Sequence, residues 1–152
     1  LLCFLDQLWA GVRYSMRGRA GPLTTEEFEE MKKHTILGRN TIMTAERSID
    51  TPEEFLTVAR EIATYHHERW DGRGYPDGFW GEQIPVPARI MAIADVYDAL
   101  TSKRVYKDAI PHDKAVQIIL SERGTHFDPD IVDAFIKNSD IFKQIAHEHG
   151  DD

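Results

Sequence analysis

The chain has 152 residues and a formal net charge of −8 at pH 7, from 18 Lys and Arg against 26 Asp and Glu. This length suits a single domain, and a hydrophobic fraction of 41% suffices for a buried core, so we expect a folded chain. The single cysteine, Cys3, excludes an intramolecular disulfide and a thiolate-rich zinc cluster, which fits a reducing cytoplasm. No apolar run approaches the roughly 20 residues that span a bilayer, and a net acidic chain is a poor general nucleic-acid binder.

Helical patterns dominate the first half of the chain. A capping box of Thr24 and Glu27 predicts a helix that begins directly after the threonine and continues through His34. Pro52 predicts the first turn of a second helix, whose apolar stripe runs into a pair of consecutive histidines.

Three further helices are expected downstream. Pro87 predicts the start of the third, with a core-facing stripe at helical spacing formed by Ile90, Ile93, Ala94, Tyr97 and Leu100. A fourth is expected around Ala115 to Leu120, and Asp128 is the predicted cap of a fifth. Residues 137–152 are expected to form a C-terminal tail, and the acidic residues of this end of the chain to form a solvated face.

Between the second and third predicted helices, residues 72–87 contain four of the ten glycines and three of the seven prolines. This composition predicts a loop longer than about 12–15 residues, a length typical of elements that bind or cover a site. We expect the loop to be ordered by the apolar side chains of Trp70, Tyr75, Phe79, Trp80 and Ile84. The alternative interpretation is a rigid structural connector.

Several residues have the side chains of a metal site. His66 and His67 border the core-facing side of the second helix, and His34 and Asp95 lie on other predicted helices. Imidazole and carboxylate ligands gather in this way inside helical metalloproteins. Such donors without thiolate suit Fe, Mn, Ni or Zn. The alternative is ordinary core histidines, and the residues alone leave both open.

Charged residues near Asp95 suggest contacts to a phosphodiester. Asp98 follows three residues later, and Arg104 and Lys107 lie in the acid-free segment TSKRVYK. Arginine offers a fork that matches phosphate oxygens, and lysine offers a point charge. The alternative is that all of these are solvated surface charges.

Four stretches of the sequence resemble the HD-GYP family, a bacterial branch of the HD phosphohydrolase superfamily. They are GPLTTEEFEEMKKH, HHERWDGRGYPDG, IPVPARIMAIADVYDALTSKRVYK and GTHFDPDIVDAF. The resemblance covers residues 21–136, whereas residues 1–20 match weakly. It implies an all-α HD-type bundle with a Gly/Pro-rich loop over the site, as one domain over residues 1–152. It also implies a metal-dependent phosphodiesterase that linearises cyclic di-GMP to pGpG or GMP.

The resemblance implies roles for individual residues. The implied metal ligands are Asp6, His34, His66, His67 and Asp95. The two aspartates of this set are also the implied catalytic residues. The implied contacts to the nucleotide are Tyr75, Pro76, Asp98, Arg104 and Lys107. Iron and manganese are the expected metals, with nickel and zinc as alternatives.

The start of the chain departs from the family pattern. A gapless count places Leu5 and Trp9 where the family has His and Lys, and Asp6 alone retains its identity. We also expect the ligands of the upstream family helix to be missing from the site. Because general acid assistance contributes roughly 10²–10⁴-fold, we predict impaired hydrolysis. One alternative is a cytoplasmic module that binds cyclic di-GMP or a signalling partner without hydrolysis. That partner would be a GGDEF-type protein or a second copy of the chain. The other alternative is a purely structural module.

Overall fold

The computed structural model describes residues 24–47, 53–102 and 109–149. These residues form six α-helices, which are α1 (Thr25–Glu46), α2 (Glu53–Tyr65), α3 (Val86–Thr101), α4 (His112–Ser121), α5 (Pro129–Lys137) and α6 (Ser139–His149). Within these ranges there is no β-strand, and an isolated parallel bridge joins Arg123 to Phe127. The prediction of an all-α fold is confirmed. None of the described helices is both long enough and apolar enough to cross a membrane.

Helix α1 begins as its capping box predicts. The Thr24 hydroxyl accepts a hydrogen bond from the Glu27 amide at 3.2 Å, and the Glu27 carboxylate accepts one from the Thr24 amide at 2.8 Å. Two N–H groups that have no acceptor within the helix are thereby satisfied. Further along, a Cβ at Gly38 would lie 3.4 Å from the Ala63 Cβ, so α1 and α2 approach closely here. This packing turns His34 toward the end of α2.

Helix α3 is central, because it contacts α2, α4 and α5. The core around it consists of buried apolar side chains from four segments: Ala92, Ile93, Tyr97, Ala115, Ile119, Phe127, Val132 and Phe135. As predicted, Asp128 caps α5, and its carboxylate accepts a hydrogen bond from the Asp130 amide at 2.8 Å; Pro129 takes the first helical position.

The predicted core stripe of α3 is wrong at its first member. Ile90 is 52% exposed, whereas Ile93 is 2% exposed. At this end of the helix the buried side consists of Ala88 and Ala92, and Ile90 lies about 200° around the helix from each of them. Small side chains therefore face the core here, and a larger one faces solvent.

Residues 137–152 were predicted to form a tail, but the structure places α6 in this segment. The Phe142 ring lies 4.9 Å from the Phe135 ring and 5.5 Å from the Tyr97 ring. Phe142 and Ala146, four residues apart, pack against the core, while Ile141 and Ile145 are exposed. Apolar residues at positions 141, 142, 145 and 146 repeat at helical spacing, and this indication of a helix was not used in predicting the tail.

The predicted Gly/Pro-rich loop connects α2 to α3 and includes a short 3₁₀ turn, Gly81–Gln83. Its first part is fastened by backbone hydrogen bonds, since the Trp70 amide donates to the His126 carbonyl at 3.0 Å and the Asp71 amide donates to the Thr125 carbonyl at 2.9 Å. Of the predicted anchors, Ile84 is 2% exposed, but Trp80 is 63% exposed and lies on the surface. The expectation for Trp80 was therefore wrong.

The second end of the loop is fastened by Arg89 of α3. Its Nε donates to the Ile84 carbonyl at 2.7 Å, and its Nη1 donates to the Asp128 carboxylate at 2.7 Å. One guanidinium therefore connects the loop, α3 and the start of α5.

Candidate metal centre

Three histidines, one on α1 and two directly after α2, meet beneath the loop. His34 lies on α1, while His66 and His67 directly follow α2. One ring nitrogen of each lies within 4.8 Å of those of the other two. The ring centroids are 4.0 Å apart for His66 and His67, 5.0 Å for His34 and His67, and 5.5 Å for His34 and His66. This spacing is compatible with three imidazoles around one metal ion.

Backbone carbonyls orient two of these rings. The Nδ1 atom of His34 lies 2.7 Å from the Met31 carbonyl oxygen, and that of His66 lies 2.8 Å from the Ile62 carbonyl oxygen. Because a carbonyl can only accept, Nδ1 is the donor in each ring and the Nε2 atom keeps its lone pair. Histidines that bind metals are oriented by the same kind of hydrogen bond from the opposite ring nitrogen.

The Nε2 atoms of His34 and His67 are buried and have no hydrogen-bond partner among the described residues. A buried polar atom without a partner costs about 1–3 kcal/mol, so native proteins rarely keep one without a use for it. A divalent cation would accept these lone pairs. The residues present therefore fit such a metal.

All three imidazoles are neutral at pH 7. Burial lowers the pKa of His34, against the opposing effects of the Met31 carbonyl and the Asp95 charge. Burial, and next the neighbouring His34, lower the pKa of His66 to about 4. Burial and the adjacent histidines lower the pKa of His67 to about 2. Neutral imidazole is the form that binds metals, so the cluster is ready for binding without losing protons.

Tyr75 of the loop covers the histidines. Its ring centroid lies 4.9 Å from that of His67, and its hydroxyl donates to the Met31 sulfur at 3.8 Å. Pro76 follows through a cis peptide bond. Burial, and next the negative charge of Asp95, raise the pKa of the Tyr75 hydroxyl, which therefore stays protonated at neutral pH.

The two aspartates of α3 occupy different positions. Asp95 is half-buried, and its negative charge raises the pKa of both His34 and Tyr75. It is not part of the tight group of three ring nitrogens. Asp98, one turn later, is exposed and accepts a hydrogen bond from the Ser102 hydroxyl at 3.0 Å.

Other residues of the predicted site lie outside the described ranges. These are Asp6 with its neighbours Leu5 and Trp9, and the basic pair Arg104 and Lys107. Their proposed roles remain predictions from the sequence.

Two polar residues near the site and the core had no predicted role. Glu68 lies within the quoted motif, received no role, and is 2% exposed. The feature of the sequence that could have indicated Glu68 is a charged residue directly after the two adjacent histidines. His112 also received no role, yet its Nδ1 atom lies 2.8 Å from the Tyr97 hydroxyl. That partner lies 15 residues earlier in the chain, so no local pattern indicated it.

Comparison with known proteins agrees with this geometry. A profile of the HD domain family matches residues 13–131. The chain is 50% identical over 90% of its length to a cyclic di-GMP phosphodiesterase of Vibrio cholerae, of which it covers 27%. It is 42% identical over 84% of its length to a cyclic di-GMP phosphodiesterase response regulator of Xanthomonas campestris, of which it covers 32%. It is 38% identical over 84% of its length to a 3'3'-cGAMP-specific phosphodiesterase of Vibrio cholerae, of which it covers 23%.

The chain thus spans less than a third of the length of each of these relatives. The match over residues 13–131 includes the three clustered histidines, Tyr75 and both aspartates of α3. From this match and from its motifs, the chain belongs to the HD domain family, in the HD-GYP branch.

Proposed function

We propose that this chain carries the site of a metal-dependent phosphodiesterase that hydrolyses cyclic di-GMP to pGpG or GMP. The observation that carries the proposal is the meeting of three neutral imidazoles beneath Tyr75, with two buried Nε2 atoms that find no partner among the residues the structure describes. Relatives named as cyclic di-GMP phosphodiesterases support the choice of substrate. A relative named for 3'3'-cGAMP makes that dinucleotide the substrate to compare.

The residues that would hold a metal are His34, His66 and His67, with Asp95 beside them and Asp6 assigned by resemblance to the family. When bound, divalent ions in such sites supply Lewis acidity toward a phosphoryl oxygen and lower the pKa of a water nucleophile. We propose iron or manganese, and nickel or zinc as alternatives, because the donors are imidazole and carboxylate without thiolate.

The surrounding residues prepare the site for an anionic substrate. The carbonyls of Met31 and Ile62 fix the ring orientations of His34 and His66, so these rings need no rearrangement on binding. The Tyr75 ring and Pro76 restrict access of water from the loop side. Asp98, Arg104 and Lys107 are proposed contacts to the nucleotide, in which the two cations neutralise phosphate charge.

A second candidate function is binding of cyclic di-GMP without hydrolysis. The observation that favours it is the presence of Leu5 and Trp9 where the family has His and Lys. Neither side chain can ligate a metal or protonate a leaving alkoxide in the way that those residues can. In this role the chain would act in the cytoplasm through a partner such as a GGDEF-type protein or through a homodimer.

The two functions are separated by one assay. The purified chain is loaded anaerobically with Fe²⁺ or Mn²⁺, incubated with cyclic di-GMP or 3'3'-cGAMP, and its products are resolved by chromatography, with an EDTA-treated sample alongside. Linear product that EDTA removes supports the enzyme, whereas binding without product supports the second function. The absence of both contradicts both proposals.

Variants test the residues in this assay. His67→Ala should abolish product formation, while His147→Ala, at an exposed position of α6, should not change it. Replacing Leu5 by His together with Trp9 by Lys should increase turnover if the gapless count is right. No increase would contradict that count.

A further inference from the structure

Glu68 is a buried carboxylate that the proposed reaction does not use. It directly follows His67 and is 2% exposed. Its Oε1 atom accepts hydrogen bonds from the Asp77 amide at 2.7 Å and from the Gly78 amide at 3.0 Å. We infer that Glu68 is a positioning residue whose carboxylate oxygen holds the Tyr75–Pro76 turn over the three histidines.

The turn is held on both sides by two consecutive residues. Before the turn, the Tyr75 amide donates to the His67 carbonyl at 3.2 Å. After the turn, the next two amides donate to the Glu68 carboxylate. One short segment therefore supplies both a histidine of the cluster and the acceptors that keep the covering turn in place.

Gly74 shows how closely the turn lies on this segment. A Cβ at this position would come within 2.4 Å of the Arg69 amide nitrogen, 2.5 Å of the Glu68 Cα and 2.6 Å of the His67 carbonyl oxygen. These distances are far shorter than van der Waals contact, so only glycine fits. The backbone of the turn is thus pressed against the backbone of residues 67–69.

The hydrogen bonds of Glu68 indicate that its acceptor oxygen, rather than the volume of its side chain, keeps the turn in place. Burying a carboxylate is costly unless it is paired or hydrogen-bonded. Here one oxygen receives two amides, while Oε2 is buried without a partner among the described residues. Glutamine keeps an acceptor at the same distance from the backbone, whereas methionine has a similar shape and lacks it.

The experiment measures opening of the loop directly. Arg73 is exposed within the loop, so trypsin cleavage after it, identified by mass spectrometry, reports how often the turn leaves its place. In metal-free protein, we expect Glu68→Met to speed this cleavage by about tenfold or more, because two amides lose a buried acceptor. Glu68→Gln should stay within about threefold of the wild type.

The matched control is Glu82→Gln, at an exposed position of the same loop, which should leave cleavage unchanged. Circular dichroism checks that each variant is folded. Wild-type cleavage in folded Glu68→Met, or equally fast cleavage in Glu68→Gln and Glu68→Met, would overturn the inference. So would loss of the whole fold in both variants, since the carboxylate would then serve the fold in general.

An activity readout rests on the proposed function. If the wild type hydrolyses cyclic di-GMP, Glu68→Met should lose most of that activity and Glu68→Gln should restore it. If the wild type forms no product, the proposed function fails, but the cleavage rates still decide the role of Glu68.

Discussion

This molecule contains two clusters of rings with similar spacing, one made mainly of apolar rings and the other of polar imidazoles. In the aromatic cluster, Tyr97, Phe135 and Phe142 lie with ring centroids 4.9–5.6 Å apart, and the Tyr97 hydroxyl is hydrogen-bonded to His112. In the histidine cluster, the centroids lie 4.0–5.5 Å apart, but two Nε2 atoms have no partner within residues 24–47, 53–102 and 109–149.

The difference shows that one part of the interior stabilises the fold, whereas another part is suited to binding a ligand. The aromatic cluster buries apolar surface and satisfies its one hydroxyl, so it stabilises the fold. The histidine cluster buries polar atoms that have no hydrogen-bond partner in the described part of the chain, which lowers stability unless a ligand binds. Natural proteins keep such a cost at functional sites. The predictions below test whether these two clusters are separable.

The largest expected effect is on stability, from Phe135→Ala in the aromatic cluster. Phe135 is 4% exposed, so removing its ring leaves a cavity and should lower the free energy of unfolding by about 3–5 kcal/mol. Urea denaturation measures this change. Phe55→Ala, at a 59% exposed position, is the control and should stay within about 0.5 kcal/mol. If folded Phe135→Ala also failed to bind metal, the two clusters would not be independent.

The second prediction concerns the histidine cluster and metal binding. A divalent cation at a free concentration of one hundred times its dissociation constant should raise the free energy of unfolding of the wild type by about 2.7 kcal/mol, because it binds the folded state. His67→Ala should lose most of this increment, since it removes one of the three clustered imidazoles. Thermal melts with and without Mn²⁺ measure it, and His147→Ala is the control. An equal metal-induced shift in His67→Ala would remove this residue from the site.

The smallest predicted effect comes from the capping box of α1. Thr24→Ala should lower the free energy of unfolding by about 1 kcal/mol, because the Glu27 amide loses its acceptor. Thr24→Ser keeps the hydroxyl and should retain most of the stability. Metal affinity should change little in Thr24→Ala, because His34 lies almost three turns further along the helix. A large loss of affinity would show that the site depends on the helix end.

Local rules predicted much of the fold. The capping box of α1 and the aspartate that caps α5 depend on contacts within a few residues, and local composition alone indicated the Gly/Pro-rich loop. The exposure of Ile90 and the docking of α6 on Phe135 depend on segments far away in sequence. A pattern within one helix carries no information about which neighbour covers it.

For the site, the residues themselves offered two adjacent histidines and a further histidine on another predicted helix as candidate ligands, with ordinary core histidines as the alternative, and the family resemblance added the role of Tyr75. Ligand type and order along the chain are properties of the sequence. The distances between the ligands are not determined by local sequence. Only the packing of α1 against α2 at Gly38 brings His34 to the other two rings. The same holds for Glu68, because the two amides that it binds, nine and ten residues later, reach it only when the loop folds back.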